Sequence, residues 1–341
     1  SIILIEYSLI AQTCAELQMT FEQLRIFLAV TQHLHFTRAA EVLYLTQPSV
    51  SASIQSLEAE IGMPLFHRIG RRIEITQAGE LLQGEAEKIL ERVALAKRGL
   101  QELSELKQGE LKLGASQTIC NYWIPRFISQ FKNQYPGIQV NCIVGNTEEI
   151  VTGTVVGKFD LGLVEGIVSQ TASDCLEQQV IGGDRLQVVV GQTHPWFERN
   201  TISPSELSTT DWVMRESGSG TRNIFEQSLR DWGIDPLELN VILEMSSGEM
   251  IKAIVENGIG ATVLSEWMVR KEVQFGVLRT IAIADLRGLT DLPTILRSFK
   301  LIKHRERFQT RIAQSFEQLL MSANVDLALS IPATRHDIAD K

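Results

Sequence analysis

The chain has 341 residues, 44% of them hydrophobic and 21% charged, enough apolar material for two or three packed cores. Its formal net charge of −9 excludes a nucleic-acid binder that works by overall charge, so any polyanion contact must come from locally placed cations. Cys14, Cys120, Cys142 and Cys175 lie far apart with no CxxC, and the histidines at 33, 35, 67, 194, 304 and 336 do not cluster, so neither a disulfide framework nor a cofactor metal is expected.

Residues 1–18 hold an apolar run from Ile2 to Ile5, but no basic segment precedes it and Glu6 interrupts it. They read as an N-terminal extension, with no signal peptide or membrane span, and the chain reads as cytoplasmic. Residues 22–34 then carry Leu24, Phe27, Leu28 and Thr31 on one face at the spacing of an amphipathic helix. A short second helix is predicted over 36–43, where Ala39 and Ala40 leave room for another helix to cross closely. Residues 44–47 make the turn, and Pro48 suits the first turn of a third helix, where a missing N–H loses nothing. Val50, Ile54, Leu57 and Ile61 face the core of that third helix. Its opposite face, Gln47, Ser49, Ala52, Ser53 and Ser56, is small and polar, able to lie against base edges in a major groove. Residues 21–79 therefore read as a winged helix-turn-helix, and the partner as double-stranded DNA.

The segment 60–79, EIGMPLFHRIGRRIEITQAG, follows Phe36-Thr-Arg-Ala-Ala40 and Thr46-Gln-Pro-Ser-Val-Ser51. Together these motifs resemble the DNA-reading head of LysR-type transcriptional regulators. The resemblance is close over residues 19–80 and continues beyond them as domain order and scattered motifs. It starts at Met19, which makes residues 1–18 an upstream extension of the kind a misassigned start codon produces. It implies a DNA-binding domain over 19–76 in a transcriptional activator that works with RNA polymerase as a homodimer or homotetramer. DNA contacts are expected from Arg38, Gln47, Pro48, Ser49, Ser51 and Ser53 on the helices and from Arg68, Arg71 and Arg72 on the wing. Because residues 19–80 hold five arginines and six glutamates, placement has to outweigh net charge. Ala52 stands where many family members carry an arginine, so that contact is missing and site preference is expected to differ.

From residue 76 to 107 there is neither proline nor a turn cluster, and Leu82, Ala86, Ile89, Val93, Ala96, Leu100 and Leu103 recur at alternating spacings of four and three. This is a heptad seam on a linker helix over 77–107, roughly 48 Å long at about 1.5 Å per residue. Leu82, Ile89, Val93, Leu100 and Leu103 are expected to pair with a second copy; packing on the helix's own domain is the alternative.

Residues 109–321 alternate short apolar runs, at 111–115, 138–144, 160–164, 186–190, 212–214, 241–243, 259–263 and 295–302, with helical patterns at 119–134, 221–232, 249–257 and 306–320. Such alternation predicts a doubly wound α/β fold, and the family resemblance implies a two-lobed, periplasmic-binding-protein-like effector domain. Residues 322–341 lack a packed pattern and read as a flexible tail. Strand-to-helix junctions offer free N–H groups to anions, and in open α/β sheets ligands bind at such strand ends. The candidate effector contacts are therefore Ser116, Gln117, Thr118, Asn146, Thr147, Glu165, Arg215, Ser217, Ser219, Thr221, Arg222 and Ser247, around a small anionic metabolite. Arg215 has an alternative role in a structural pair with Glu216 or Glu244. The motifs Gly114-Ala-Ser-Gln-Thr-Ile119 and Arg215-Glu-Ser-Gly-Ser-Gly-Thr-Arg222 are similar to those of members serving sulfur or nitrogen assimilation.

An enzyme fused to a DNA-binding domain is disfavoured, since Glu216 replaces the first glycine of a nucleophile elbow and Gly258-Ile-Gly260 lacks the third glycine of a dinucleotide fingerprint. A further alternative is a thiol redox sensor using Cys120, near the start of the effector domain's first helix, with Cys142 on the next strand.

Overall fold

The computed structural model describes residues 19–69, 72–102, 108–284 and 295–327, without the side chains of 68, 69, 72, 101, 102 and 323–327. The chain divides into two compact units, 1–98 and 99–341.

In the first unit, helix α1 (Phe21–His33) opens on a capping box in which Thr20 accepts from the Gln23 amide and the Gln23 side chain accepts from Thr20. Helix α2 (Phe36–Leu43) matches the predicted span, and α3 (Gln47–Ile61) begins at Gln47, one residue before the proline, capped by Thr46. Leu24, Phe27, Val30, Ala39, Ala40, Val50, Ile54 and Leu57 form one buried core. The alanines are fully enclosed, as a close crossing requires. Strands β1 (Phe66–Ile69) and β2 (Arg72–Ile75) pair antiparallel as the wing. The Glu58 carboxylate accepts from the Leu65 and Phe66 amides at 2.8 and 3.2 Å, tying α3 to the wing.

Helix α4 (Gln77–Glu102) is pinned at its start, where the Thr76 hydroxyl donates to the Pro64 carbonyl at 2.8 Å and accepts from the Gly79 amide at 3.0 Å. This corrects the expected seam. Ala86 is buried in the winged core and Leu82 and Ile89 pack against it, so the first half of the stripe covers its own domain. Only Val93 and Leu100 of the nominated residues are exposed, at 39% and 69%; Leu103 lies outside the described residues. The reason is geometric: a helix anchored at the base of the wing runs alongside the three-helix core before leaving it.

The second unit is an α/β fold with two lobes. Lobe I has the parallel strands β3 (Gly109–Ser116), β4 (Ile138–Gly145) and β5 (Leu161–Glu165), with helices α5 (Pro125–Gln134), α6 (Thr147–Val155) and the short α7 (Gln170–Cys175). A π-helical turn, Ile119–Trp123, precedes α5, so the predicted single helix over 119–134 is two pieces, with Pro125 opening the second. β6 (Leu176–Gly191) is a 16-residue strand that crosses to lobe II. There it leads through β7 (Thr201–Ile202), β8 (Asp211–Arg215), α8 (Gly220–Asp231), β9 (Asn240–Met245), α9 (Gly248–Glu256), β10 (Ala261–Ser265), α10 (Glu266–Gln274) and β11 (Leu278–Ile283). Strand β12 (Ile295–His304) returns antiparallel along β6 and meets β5, and α11 (Arg311–Leu327) closes the fold on lobe I. The main sheet order is β4-β3-β5-β12-β6-β10-β8-β9. Each lobe has its own core, one around Trp123, Phe131, Phe299 and Phe316, the other around Trp196, Trp212 and Phe225. The sequence patterns missed α6, α7, α10, β7, β11 and the first ten residues of β6, and the last helix, expected over 306–320, begins at Arg311. No helix among the described residues is long and apolar enough to cross a membrane.

Candidate functional site

On the first unit, α3 buries Val50, Ile54 and Leu57 and exposes Gln47, Pro48, Ser49, Ala52 and Ser56, with Ser51 and Ser53 at the edge of that face. Arg38 is exposed on α2. The Ser49 hydroxyl shares a 2.8 Å hydrogen bond with Thr46, so it is already engaged in the helix cap. Arg71 and the side chains of Arg68 and Arg72 lie outside the described residues. Tyr44, missed by the sequence reading, is 96% exposed in the turn before α3. A large aromatic residue at the start of the turn before the DNA-facing helix was the available signal.

On the second unit the two lobes meet where β3 and β5 end against the start of α8. Gly166 and Gly220 make this possible: a side chain on Gly220 would run into the Glu165 carbonyl, and one on Gly166 would come within 2.7 Å of the Gly220 backbone. The Glu148 amide donates to the Gly218 carbonyl at 3.3 Å and the Asn146 amide group donates to Glu216 at 3.3 Å. Gln117 bridges the lobes on the other side, donating to the Ser246 carbonyl at 2.5 Å and accepting from the Gly248 amide at 3.0 Å. The lobes are therefore latched directly to one another.

The centre of this junction is a residue that the sequence reading did not nominate. Arg297 stands opposite Asp184 in the β12–β6 register and is fully enclosed. Its Nε and Nη2 donate to the two Asp184 oxygens at 2.7 and 2.6 Å, Nη1 donates to Thr221 Oγ1 at 2.8 Å, and Nη2 also reaches Thr118 Oγ1 at 3.2 Å. Glu165 Oε1 lies 3.5 Å from Nη1. Ser265 completes the cluster by donating to Asp184 at 2.5 Å. A guanidinium carries five N–H donors and can stay charged in a buried site only when carboxylates and hydroxyls take them up. Arg297 thus ties together β12, β6, the start of the π-helical turn and the start of α8.

Glu165 is the strained partner. Burial pushes its carboxyl up to about 7, against the opposing pull of Arg297. Its Oε2 and the buried Ser116 hydroxyl have no hydrogen-bond partner among the described residues. The register Ala115↔Leu163 puts Ser116 and Glu165 at neighbouring strand ends. Since Thr118 and Thr221 each accept from Arg297 through oxygen, their own O–H groups are left to donate elsewhere. The arrangement presents two hydroxyl donors, Thr118 and Thr221, and one carboxyl poised near neutrality, Glu165, held by a buried cation, with the unpartnered Ser116 hydroxyl two residues before Thr118.

Other nominated residues have different jobs. Arg222 is turned away from the junction, donating to Glu226 at 2.7 Å, to the Arg215 carbonyl at 2.9 Å and to Glu244 at 2.5 Å. Its own helix face carries Glu226 one turn on, which explains that orientation. Arg215 forms the structural alternative, a bidentate pair with Glu216 at 2.8 and 2.9 Å. Ser247 caps α9 through the Met250 amide, Asn146 caps α6 through the Glu149 amide, and Thr147 donates to the Glu165 carbonyl at 2.5 Å. Ser217 is exposed and Ser219 is buried. A cavity of about 700 Å³ flanks this junction, lined by Thr147, Glu148 and Val151 from lobe I and Gly218, Asn223 and Arg230 from lobe II.

Residues 21–80 match the bacterial regulatory helix-turn-helix of the lysR family, and residues 104–324 match the LysR substrate binding domain. The chain belongs to the LysR family. It is a DNA-binding transcriptional regulator with an effector-binding domain. The probable RuBisCO transcriptional regulator of Trichormus variabilis is 33% identical over 307 residues, covering 90% of this chain and 89% of that protein. That of Synechocystis is 32% identical over 302 residues, covering 89% and 86%. Among solved structures, the Synechocystis PCC6803 CcmR regulatory domain in complex with 2-PG is 28% identical with a TM-score of 0.55, covering 64% of this chain and 98% of that one. Full-length CbnR complexed with its target DNA has the same fold, with a TM-score of 0.64 at 20% identity, covering 89% and 100%.

Proposed function

We propose that this LysR-family regulator is controlled by a small phosphorylated carboxylate bound between the lobes, and that its target genes serve carbon fixation. The observation that carries the reading is the pair of hydroxyls, Thr118 from lobe I and Thr221 from lobe II, that accept from Arg297 with their own O–H groups left over for a ligand, together with the buried, unpartnered Ser116 hydroxyl at the end of β3. The 28% identical CcmR domain, solved in complex with 2-PG (2-phosphoglycolate), supports this ligand class. The relatives named as probable RuBisCO transcriptional regulators support this target over the sulfur or nitrogen assimilation suggested by the cleft motifs. Gln117, Asn146, Thr147 and Ser219 shape the cleft walls; Arg215, Arg222, Ser217 and Ser247 stand outside the ligand's first contacts.

In this reading the protein acts in the cytoplasm by binding rather than by catalysis, as a homo-oligomer that presents two or more reading heads to DNA and activates transcription with RNA polymerase. Arg38, Gln47, Pro48, Ser49, Ser51, Ser53, Arg68, Arg71 and Arg72 make the DNA contacts, and Val93 and Leu100 contribute to pairing between copies. The test is thermal unfolding of the full chain with 2-phosphoglycolate, inorganic phosphate, sulfate and small dicarboxylates, since a ligand that binds the native state raises the midpoint. A rise with 2-phosphoglycolate well above that with inorganic phosphate is the expected result. A response to none of them, or an equal response to every oxyanion, contradicts it.

A further inference from the structure

Cys120 lies in the π-helical turn that follows β3, and Cys142 lies on the edge strand β4, which pairs with β3. Their sulfurs are 3.9 Å apart, and both side chains are partly buried against the lobe I core. The distance exceeds an S–S bond of about 2 Å by an amount that side-chain rotation and a small movement of the turn can supply. A π-helical turn is itself a locally adjustable element, often found where function requires it.

We propose that Cys120 and Cys142 are a reversible dithiol–disulfide pair, oxidised by hydroperoxides. The thiolate of Cys120 attacks the distal peroxide oxygen, the O–O bond breaks, and the leaving alkoxide or hydroxide takes a proton, giving a sulfenic acid and an alcohol or water. The Cys142 sulfur then attacks the sulfenic sulfur, expelling a second water as the disulfide forms. The two sulfurs lose two electrons and two protons in total, and a dithiol reductant returns them.

The order of attack follows from the environment. The hydrogen bond from Cys142 holds Cys120 down at about 7, against the opposing effect of burial, so a large share is thiolate at neutral pH. Cys142 is pushed up by the same hydrogen bond and by burial, and it stays a thiol until its partner is oxidised. The bond has a consequence beyond lobe I. The same turn begins at Thr118, which holds Arg297, and contains Tyr122, which donates to Glu249 on lobe II. Drawing Cys120 toward β4 pulls on both lobe-to-lobe contacts, whatever the effector is.

The test is peptide mapping of the full chain after brief exposure to hydrogen peroxide, without reductant. The expected result is a two-hydrogen mass loss and a linked pair of peptides carrying Cys120 and Cys142, reversed by dithiothreitol and still formed in Cys175→Ser. Peroxide should also shift the thermal midpoint of the parent and leave that of Cys142→Ser in place. The proposal is overturned by sulfinic acid at Cys120 while Cys142 remains a free thiol, by a link made through Cys14 or Cys175, or by both thiols surviving at peroxide levels that oxidise the exposed Cys175. Because the parent carries the main result, a variant that folds poorly leaves the conclusion intact.

Discussion

Arg297 holds the junction of the two lobes, since removing it would leave Asp184 and Glu165 as buried carboxylates without this cation. Glu165 turns this into a measurable pH dependence. Its folded value of about 7 exceeds the ordinary 4.5, so folding favours the protonated form. That stabilisation is fully present below about pH 4.5 and is lost as the pH rises through about 7, with a size on the order of 3 kcal/mol. Glu165→Gln imitates the protonated side chain at every pH. The thermal midpoint of the parent should therefore fall relative to the variant between about pH 5 and about pH 8. A difference that stays constant across this window would show that Glu165 does not titrate there. Anion affinity should follow the same direction in the parent, rising as the pH falls, because a neutral Glu165 no longer repels the ligand.

At the scale of elements, legibility depended on whether the cause of an element was local. Helices α2 and α3 were readable because capping residues, a proline at the start and periodic apolar positions all lie within the segment itself. The polar beginning of β6, Leu176-Glu-Gln-Gln-Val180, shows no strand pattern; it is a strand because β12 pairs with it from more than a hundred residues away. Arg297 was invisible for the same reason, since its partner Asp184 is 113 positions distant. The cleft serines and threonines were legible as helix-start chemistry, but which of them cap, which bridge and which are left with a free O–H needed the structure. The linker helix shows the limit of periodicity, because the stripe is continuous while its partners change from the winged core to open surface along its length. Leu100→Asp should therefore keep the winged domain folded and disrupt pairing between copies, as read by sedimentation and circular dichroism. Ala86→Asp should unfold the winged domain, because a charge in a closed core loses several kcal/mol. Unchanged association of Leu100→Asp would move the interface elsewhere. On the wing, replacing Arg71 and Arg72 together with alanine should weaken binding to every DNA sequence and lower the salt slope by up to about two units. Equal affinity at every salt concentration, measured by fluorescence anisotropy, would remove the wing from the DNA contacts.

At the scale of the whole molecule, regulation requires that a ligand between the lobes bind one arrangement better than another. The structure supplies the means: two lobes latched through Gln117, Asn146 and Glu148, a backbone approach at Gly220 that tolerates no side chain, and Arg297 holding hydroxyls from both lobes. A ligand that takes the free O–H bonds of Ser116, Thr118 and Thr221 would favour the latched arrangement by its contacts alone, and the reading heads would report the change. The most direct measurement is calorimetric titration of the full chain, parent and Thr118→Val, with 2-phosphoglycolate. Valine keeps the shape and removes both the donor, a loss of about 1.5 kcal/mol or more for a bond to a charged group, and the oxygen that accepts the 3.2 Å bond from Arg297, whose Nη2 keeps its bond to Asp184. Affinity should be about tenfold weaker or worse, with association between copies and basal DNA affinity unchanged. Equal affinity in parent and variant would place the effector outside this cleft and contradict control through the hydroxyls held by Arg297.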